Sequence, residues 1–365
     1  MNVGKSNAVH VFLRDMYNTS IPEEEIPKTT IQTLRHIEKT LHCEEFENVT
    51  GLKAFFMYVD SDELLATSEM VVMPTLYTGS FLRVDQFDVD ETYLCIVPGV
   101  EGHHLRFSAL CERLKLPALV LQPGLHRPHE TVRETAERYA KILFEKAGLK
   151  AKFYLLGYES GVLVALELAA VLEDNGLTGT VFCLGAPPAE FNQELREHLR
   201  GLDTEEALQE AVVRHMFTLM TGDEGELSGA LRAAAAWTDK VEAAVRLLLG
   251  RVSHSAQYAR QLMEAARGRL AALLRHAGET RALRSRLVLL RPAPAAAAPA
   301  LAAALQPHSL RPVTAHALRA PLAYAPQDLR CAAIINSYLD DDVLRAFNDK
   351  NLCESYALSQ DTVME

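Results

Sequence analysis

Residues 153–163 read FYLLGYESGVL, and this stretch decides the predicted fold. Its first half is a continuous apolar run, which is typical of a β-strand covered on both faces. Two glycines, Gly157 and Gly161, flank the next few residues, and the segment that follows has the apolar spacing of a helix. We therefore predict a strand, a tight turn and a helix. In a parallel sheet such a turn lies at the carboxyl edge of the strands, where ligands bind.

The same alternation of strands and helices continues along the chain from Tyr93 onward. Apolar runs predict five strands, at residues 93–97, 118–122, 153–156, 180–184 and 286–290. Segments with helical spacing of apolar residues separate these strands, as in ETVRETAERYAKILFEKAGL and GVLVALELAAVLEDNG. This order predicts an α/β fold with a mostly parallel central sheet. Right-handed crossovers then place the glycine-flanked turn at the edge of a central strand.

A long helical insertion interrupts this alternation. The residues between Leu184 and Arg286 have almost purely helical patterns, and we predict that residues 187–280 form a helical lid. Residues 291–323 are rich in alanine and proline, so little packed structure is expected there. The later stretch LRCAAIINSYLDD predicts a final amphipathic helix.

The two ends of the chain have sequence patterns that differ from those of this central region. Residues 1–42 carry two helical patterns joined by an acidic turn and predict a small helical N-terminal region. Residues 43–90 contain short apolar bursts and are predicted to be a linker with marginal structure. Residues 91–345 form the predicted α/β domain, and residues 346–365 form a tail.

Composition excludes several classes of protein. The apolar fraction of 48% and the charged fraction of 23% are those of an ordinary globular protein. The net charge of −11 and the lack of a basic run argue against nucleic-acid binding. No apolar run reaches the length of a membrane span, and MNVGKSNAVH lacks the apolar core of a signal peptide. The six cysteines form no C-x-x-C pair, which argues against a zinc site and favours a cytoplasmic location.

In order and spacing, residues 91–340 resemble the thioesterase domain at the C-terminus of animal fatty acid synthase. The segments that carry the resemblance are YLCIVPGVEGHHLRFSALCERLKLPALVLQ, HETVRETAERYAKIL, FYLLGY followed by GVLVALELAAVLE, RLVLLR after a helical insertion, and AAIINSYL. The resemblance implies an α/β-hydrolase fold with a helical lid and no cofactor. It also implies a family reaction, the hydrolysis of a long-chain fatty acyl thioester on an acyl carrier domain present in cis or in trans.

The N-terminal region is similar to the later helices of the acyl carrier domain that precedes the thioesterase in this family. The similarity rests on NAVHVFLRDMYNTSIPEEEIPKTTIQTLRHIEK. The carrier motif D-S-L, whose serine carries phosphopantetheine, aligns with residues 4–6, so Lys5 stands at the attachment position and Ser6 follows it. The phosphopantetheine site is therefore expected to be absent, and the chain is expected to be either a fragment of a longer synthase or the product of a truncated gene model. The alternative is an unrelated helical hairpin.

The turn at residues 157–161 departs from the family pattern at the nucleophile. An α/β-hydrolase turn reads G-x-S-x-G, with the nucleophilic serine third of five. Here Glu159 is third and Ser160 is fourth. Glu159 is either a carboxylate nucleophile or a solvated acid on a retained turn. The side chain of Ser160 is expected to point away from the pocket centre, while its amide is one of the two expected oxyanion donors.

The resemblance also assigns the orienting acid and the base to residues that lack the required chemistry. Gly185 stands where the family has an aspartate, and Glu190 is a remote substitute. The alternative place for the acid, after the next strand, is empty because no Asp or Glu occurs between residues 279 and 328. Arg319 stands at the histidine position. His316, three residues earlier, is the best remaining base, and His308 is less favourable.

The oxyanion loop survives as residues 98–102, PGVEG, with the amide of Val100 as the second expected donor. His103 and His104 follow it and are expected at the surface or at the pocket mouth. Loss of a triad nucleophile costs about 10⁶ in turnover, and further losses add little because the members act as a unit.

Three functional hypotheses follow from these residues. The first is hydrolysis by Ser160 or Glu159 with His316, at a weak rate. The second is a non-catalytic module that binds an acyl chain or a partner domain. The third is an unrelated esterase of the same fold. The sequence favours the second, because three departures from the triad indicate a relaxed or repurposed site.

Overall fold

The computed structural model describes residues 52, 65–75, 92–147, 149, 152–202, 204–276, 278, 280–292 and 298–339. All of them belong to one compact unit, Thr50–Glu365. The carrier-like helices predicted for residues 1–42, most of the predicted linker and the predicted tail lie outside the described residues.

The described part of the chain is built on a seven-stranded sheet with the strand order β1-β3-β2-β4-β5-β6-β7. The strands are β1 (Met70–Met73), β2 (Leu94–Val97), β3 (Ala118–Leu121), β4 (Lys152–Tyr158), β5 (Thr178–Leu184), β6 (Arg286–Pro292) and β7 (Thr314–Leu318). Strand β1 pairs antiparallel with β3, and every other pairing is parallel. The predicted α/β-hydrolase fold with a mostly parallel sheet is therefore confirmed.

Two of these strands were not predicted from the sequence. Strand β1 lies inside the segment predicted to be a linker, where the burst MVVM pairs with the edge of β3. Strand β7 has the sequence TAHAL, whose alanines and histidine are weak strand formers. The expectation of little packed structure in residues 291–323 is thus wrong for β7, which forms because β6 offers it a paired edge.

Helices cover both faces of the sheet. The described helices are α1 (Ser108–Cys111), α2 (Val132–Glu145), α3 (Gly161–Asp174), α4 (Pro188–His198), α5 (Glu205–Thr221), α6 (Leu227–Arg232), α7 (Trp237–Leu248), α8 (Ala256–Arg275), α9 (Ala298–Leu305) and α10 (Leu329–Ser337). Helices α2, α3 and α9 pack on one face, and α1 and α10 pack on the other. Helix α10 is the predicted final amphipathic helix.

The five helices α4–α8 occupy the segment predicted to form a lid. They share an apolar core of their own, which includes Val212, Phe217 and Leu262. This core also takes in Val100 and Leu163, which follow β2 and β4 in the α/β layer. The helical insertion is therefore joined to the carboxyl edge of the sheet through a shared apolar cluster.

The register of the sheet determines which residues can meet at that edge. Tyr158 pairs with Leu184, and Leu290 pairs with both Leu184 and His316 on either side. These four residues therefore form one row across β4, β5, β6 and β7. Glu159 comes directly after Tyr158, the last residue of β4. Along the row, His316 lies three strand spacings from Tyr158, which is roughly 14 Å at about 4.8 Å per spacing.

Candidate active site

The turn between β4 and α3 keeps the strained geometry of a nucleophile-bearing elbow. Glu159 has φ 52°, and it is the one non-glycine residue with positive φ in the described ranges. Its backbone N–H donates to Leu184 O at 2.9 Å. A Cβ added at Gly157 would lie 2.6 Å from Val162 Cα, and one added at Gly161 would lie 2.3 Å from Val97 O. Both flanking glycines are thus required by close backbone packing.

The carboxyl group of Glu159 is withdrawn from water at the apex of this turn. Its Oε2 atom is buried and has no hydrogen-bond partner within the described part of the chain. A Cβ atom added at Gly99 would lie 2.5 Å from Glu159 Oε2 and 3.5 Å from Glu101 Oε2. Because both oxygens lie near this one point, the two carboxyl groups are close neighbours. Burial and the neighbouring Glu101 raise the pKa of Glu159 to about 8, against an opposing effect of Arg106. At pH 7 this residue is mainly a neutral acid.

The nearest cation is already engaged by another carboxylate. Arg106 Nη1 lies 3.1 Å from Glu101 Oε1, and both side chains are almost fully buried. Arg106 Nη1 also donates to the Tyr158 hydroxyl at 2.6 Å, and that hydroxyl donates to Leu322 O at 3.2 Å. This network joins the oxyanion loop to the strand before the elbow. It leaves Glu159 without an ion pair among the described residues.

The position expected for the orienting acid carries no carboxyl group. Gly185 follows β5, and its N–H donates to Leu290 O at 3.1 Å. A Cβ on Gly185 would lie 3.2 Å from both N and Cα of Glu159, so this glycine packs directly against the elbow. At the next strand, Arg291 binds Glu194 Oε1 at 3.0 Å and also contacts Glu190. Glu190, the remote substitute acid, is therefore paired with an arginine.

The structure does not bring the candidate histidines to the elbow. His316 lies within β7, and its Nε2 is 2.8 Å from the Tyr338 hydroxyl. Burial and, to a smaller extent, Arg330 lower the pKa of His316. Arg319 is exposed just beyond β7. His308 lies near the amino edge of β6, with its Nδ1 2.7 Å from Thr280 Oγ1.

The two histidines after the oxyanion loop are less exposed to solvent than their position in the sequence predicts. His103 is buried, and His104 is half-buried. The backbone N of His104 and its Nδ1 both lie 3.0 Å from Gln122 Oε1, just after β3. These contacts are to the β3 edge, so His104 has a structural partner there.

The oxyanion loop is held by a residue that the sequence analysis missed. Within the loop, Gly102 N–H donates to Gly99 O at 3.1 Å. Arg269, on the lid helix α8, donates through Nη1 to Val100 O at 2.7 Å and to Glu101 O at 3.2 Å. Its Nη2 donates to Gly124 O at 2.7 Å. No sequence signal distinguishes Arg269 from the other arginines of this helix.

A small cavity of about 70 Å³ lies beside the elbow. Its lining includes residues 97–100 of the oxyanion region, Ser160 and Gly161 of the turn, and side chains from α2 and α8. Ser160 is buried and precedes α3 without a side-chain hydrogen bond that caps the helix. Ser160 thus contributes to this cavity, whereas Glu159 does not line it.

Two further observations concern the described ranges as a whole. No helix there combines the length and apolar character needed to cross a bilayer. The same residues contain no group of three or more His, Cys, Asp or Glu side chains placed to hold a metal ion.

Three of the solved structures to which this chain is similar are the following. The Vlm2 thioesterase domain bound with a dodecadepsipeptide is 18% identical, with 75% of this chain and 98% of that chain covered and a TM-score of 0.46. The RedJ thioesterase of Streptomyces coelicolor is 20% identical. The similarity covers 68% of this chain and 90% of that chain, with a TM-score of 0.44. The four-domain nonribosomal peptide synthetase AB3403 is 12% identical, with 68% and 19% covered and a TM-score of 0.47.

A search of curated proteins finds no match. The family model described as the thioesterase domain, however, matches residues 92–292, which is more than half of the chain. The matched range runs from the strand before the oxyanion loop, through the elbow and the helical insertion, to the end of β6. On this evidence the chain belongs to the thioesterase domain family.

Proposed function

We propose that this chain is a thioesterase domain of the fatty-acid-synthase type that has lost most or all hydrolysis of acyl thioesters, and is thus a pseudoenzyme. Thioesters are the substrates of the family, and its domains need no cofactor. The observation that carries the proposal is the buried acid, Glu159, at the apex of a well-formed elbow, where none of the described groups that shift its pKa is a histidine.

Glu159 is poorly suited to replace serine as the nucleophile. A carboxylate attacks only in its ionised form, and the raised pKa of about 8 keeps most of this group protonated at pH 7. An acyl intermediate on a carboxyl oxygen would also need a base that activates water. The groups that act on Glu159 electrostatically are Glu101, Arg106 and Glu194, and none of them is a histidine.

Among the described residues, Ser160 has no hydrogen-bonded base that would make it reactive. A serine hydroxyl needs an adjacent base within hydrogen-bonding reach, about 2.6–3.2 Å. His316 lies about three strand spacings from the elbow, and its Nε2 is bound to the Tyr338 hydroxyl. Without an activated nucleophile, oxyanion donors and binding leave roughly 10³–10⁴ over the reaction in water. We infer that any turnover by this domain is of that residual size.

The finer identity of the substrate and partners rests on the order of the family segments along residues 91–340. That order supports a long-chain fatty acyl thioester or the free fatty acid as the ligand. It also supports an acyl carrier domain, in cis or in trans, as the partner in a cytoplasmic synthase. The carrier-like remnant at residues 1–42, the linker at 43–90 and the domain limits 91–345 belong to this same proposal.

A binding role is the second candidate, and the retained scaffold favours it. The elbow glycines and the oxyanion loop keep their packing although the triad chemistry is gone. The cavity of about 70 Å³ is much smaller than the roughly 300–1,000 Å³ of typical ligand sites. Binding of a long acyl chain would therefore require α8 to move away from the elbow.

The proposal is tested by hydrolysis of palmitoyl-CoA and by labelling with a fluorophosphonate, both on the purified chain. We expect no stoichiometric label on Ser160 and turnover at least about 10⁵-fold below that of an active family member. Glu159→Ser should not restore turnover, because the new hydroxyl still has no base. Ser160→Ala and His316→Ala should leave the residual rate unchanged.

Three results would contradict this expectation. Stoichiometric labelling at Ser160 would identify an activated serine. A fast rate lost on His316→Ala would show that His316 reaches the elbow. A fast rate lost only in Glu159→Gln would identify a carboxylate nucleophile.

A further inference from the structure

Arg269 differs from Arg260 and Arg267 on the same helix in lacking an acidic partner among the described residues. Arg260 pairs with Glu242 at 2.6 Å, and Arg267 pairs with Glu264 at 2.6 Å. Arg269 is half-buried and contacts three backbone carbonyls, with no carboxylate within 4 Å among the described residues. Withdrawal from water lowers its pKa to about 10, so the guanidinium still carries its charge at neutral pH. Three backbone carbonyls hold this charge and Glu101 acts on it at longer range, so an anion bound directly beside the guanidinium would be stabilised.

The charge lies beside the cavity at the elbow, whose lining includes hydroxyl groups, of which that of Thr135 already donates to Glu130 Oε2 at 3.4 Å. Arg269 lines this cavity together with Ser160, Thr135 and Tyr139. One acid, Glu130, also lines it. Its two carboxylate oxygens are already bound by Arg138, through Nε at 2.9 Å to each oxygen and through Nη2 at 2.8 Å.

The remaining donor of Arg269 and the size of the cavity limit the chemical class and the size of the ligand. Its three hydrogen bonds use both terminal nitrogens, and the Nε–H has no protein acceptor among the described residues. A cavity of about 70 Å³ exceeds the roughly 10–15 Å³ that one water molecule needs, and it admits only a small ligand. A planar carboxylate with four heavy atoms, such as acetate, matches both this volume and the geometry of a guanidinium.

We propose that the cavity between the elbow turn and α8 binds a small carboxylate of acetate size, with Arg269 as its cationic anchor and the Ser160 hydroxyl as a further donor. This inference goes beyond the proposed function, because it concerns the Ser160 side of the turn and holds whether or not the domain hydrolyses thioesters. The same site would exclude neutral amides, which bring no charge to Arg269.

The test is calorimetric titration of the full chain with sodium acetate, with sodium chloride, sodium phosphate and acetamide titrated at matched ionic strength. We expect saturable binding of acetate at one site and at least tenfold weaker binding of the other three. An accompanying thermal-shift measurement should show a higher melting temperature in acetate than in chloride. Equal effects of acetate and chloride, or no saturable binding of acetate, would overturn the proposal.

Variants locate the site. Arg269→Gln should weaken acetate binding at least tenfold, and Ser160→Ala should weaken it severalfold. The matched control is Arg267→Gln on the same helix, which should change the affinity less than twofold. Acetate binding that survives in folded Arg269→Gln would place the ligand elsewhere and refute the assignment. If Arg269→Gln does not fold, Ser160→Ala and the wild-type selectivity for acetate still decide the outcome. Thioester turnover is measured separately, so failure of one proposal does not hide failure of the other.

Discussion

Two features of Glu159 oppose folding at the apex of the elbow. Its φ of 52° lies in the left-handed region, which costs a non-glycine residue about 1–2 kcal/mol. Its carboxyl group is also desolvated and close to that of Glu101. Because the strained turn persists without a serine at its apex, the strain follows from the packing of β4 against α3. It does not depend on the identity of the apex side chain.

The first prediction concerns how Glu159 makes the free energy of unfolding depend on pH. Its pKa is about 8 in the folded chain, against an ordinary value of 4.5, so the folded state holds the proton more tightly than the unfolded state. The free energy of unfolding therefore falls as the pH rises from about 4.5 to about 8, by about 1.4 kcal/mol for each unit of pKa difference. Glu159→Gln removes this ionisation, so its stability relative to wild type should increase between pH 5 and pH 8.

Urea denaturation of wild type and Glu159→Gln at the two pH values measures this effect. The exposed Glu206 supplies the control, since Glu206→Gln should change stability equally at pH 5 and pH 8. An equal difference between Glu159→Gln and wild type at both pH values would show that the carboxyl group titrates normally.

At the scale of the elements, the elbow is fixed by backbone contacts between β2, β4 and α3. Gly161 begins α3 directly against the end of β2, where a Cβ would lie 2.3 Å from Val97 O and 2.4 Å from Pro98 O. These obstacles are backbone atoms of a central strand and its loop, so they cannot move aside cheaply. The strand–turn–helix unit therefore tolerates a change of chemistry at Glu159 but no added volume at Gly161.

The second prediction follows for Gly161→Ala. We expect a loss of about 3 kcal/mol or more in the free energy of unfolding, because the new methyl group overlaps backbone atoms. Gly229→Ala in α6 is the matched control. A Cβ there would meet nothing within 4 Å, and alanine should stabilise the helix by about 0.5–1 kcal/mol. Chemical denaturation should show a lower free energy of unfolding for Gly161→Ala and a higher one for Gly229→Ala. An unchanged free energy of unfolding in Gly161→Ala would contradict the close packing.

At the scale of the molecule, the described part consists of a sheet with helices on both faces and a lid with its own apolar core. Four cysteines are distributed through the two faces of the sheet layer, and all are buried as free thiols: Cys95, Cys111, Cys183 and Cys331. Burial raises the pKa of each of these thiols, to about 12 for Cys95, Cys183 and Cys331. They are therefore both inaccessible and protonated in the folded chain.

The third prediction uses these thiols to report on the whole fold. At pH 8, a thiol reagent such as DTNB should react rapidly with at most two of the six cysteines, Cys43 and Cys353, which lie outside the described residues. All six should react once guanidinium unfolds the chain. Peptide mapping after a short pulse of alkylation identifies the reacted positions. Rapid labelling of Cys95 or Cys331 in the native protein would be inconsistent with their burial.

The sequence by itself determined the fold class, five of the seven strands and the identity of the elbow. Continuous apolar runs marked the five strands that are covered on both faces, because such burial leaves no polar alternation. Glycines at positions 157 and 161 marked the turn, because their backbone neighbours leave no room for a Cβ. The residue at the apex, Glu159, could be read directly from that pattern. Strands β1 and β7 were not predicted. The sequence TAHAL carries little intrinsic strand signal, and the two strands form by pairing with β3 and β6 respectively.

Only the tertiary structure decided which side chains meet around that turn. Sheet register placed His316 on β7, three strands from β4, and the docking of α10 brought Tyr338 to it. The docking of α8 brought Arg269 to the oxyanion loop across 169 residues of sequence. The neighbourhood of Glu159 with Glu101 likewise depends on how two loops pack at one sheet edge. Local patterns encode whether a residue is buried. Long-range pairing and helix docking determine its partners, and therefore its charge and reactivity.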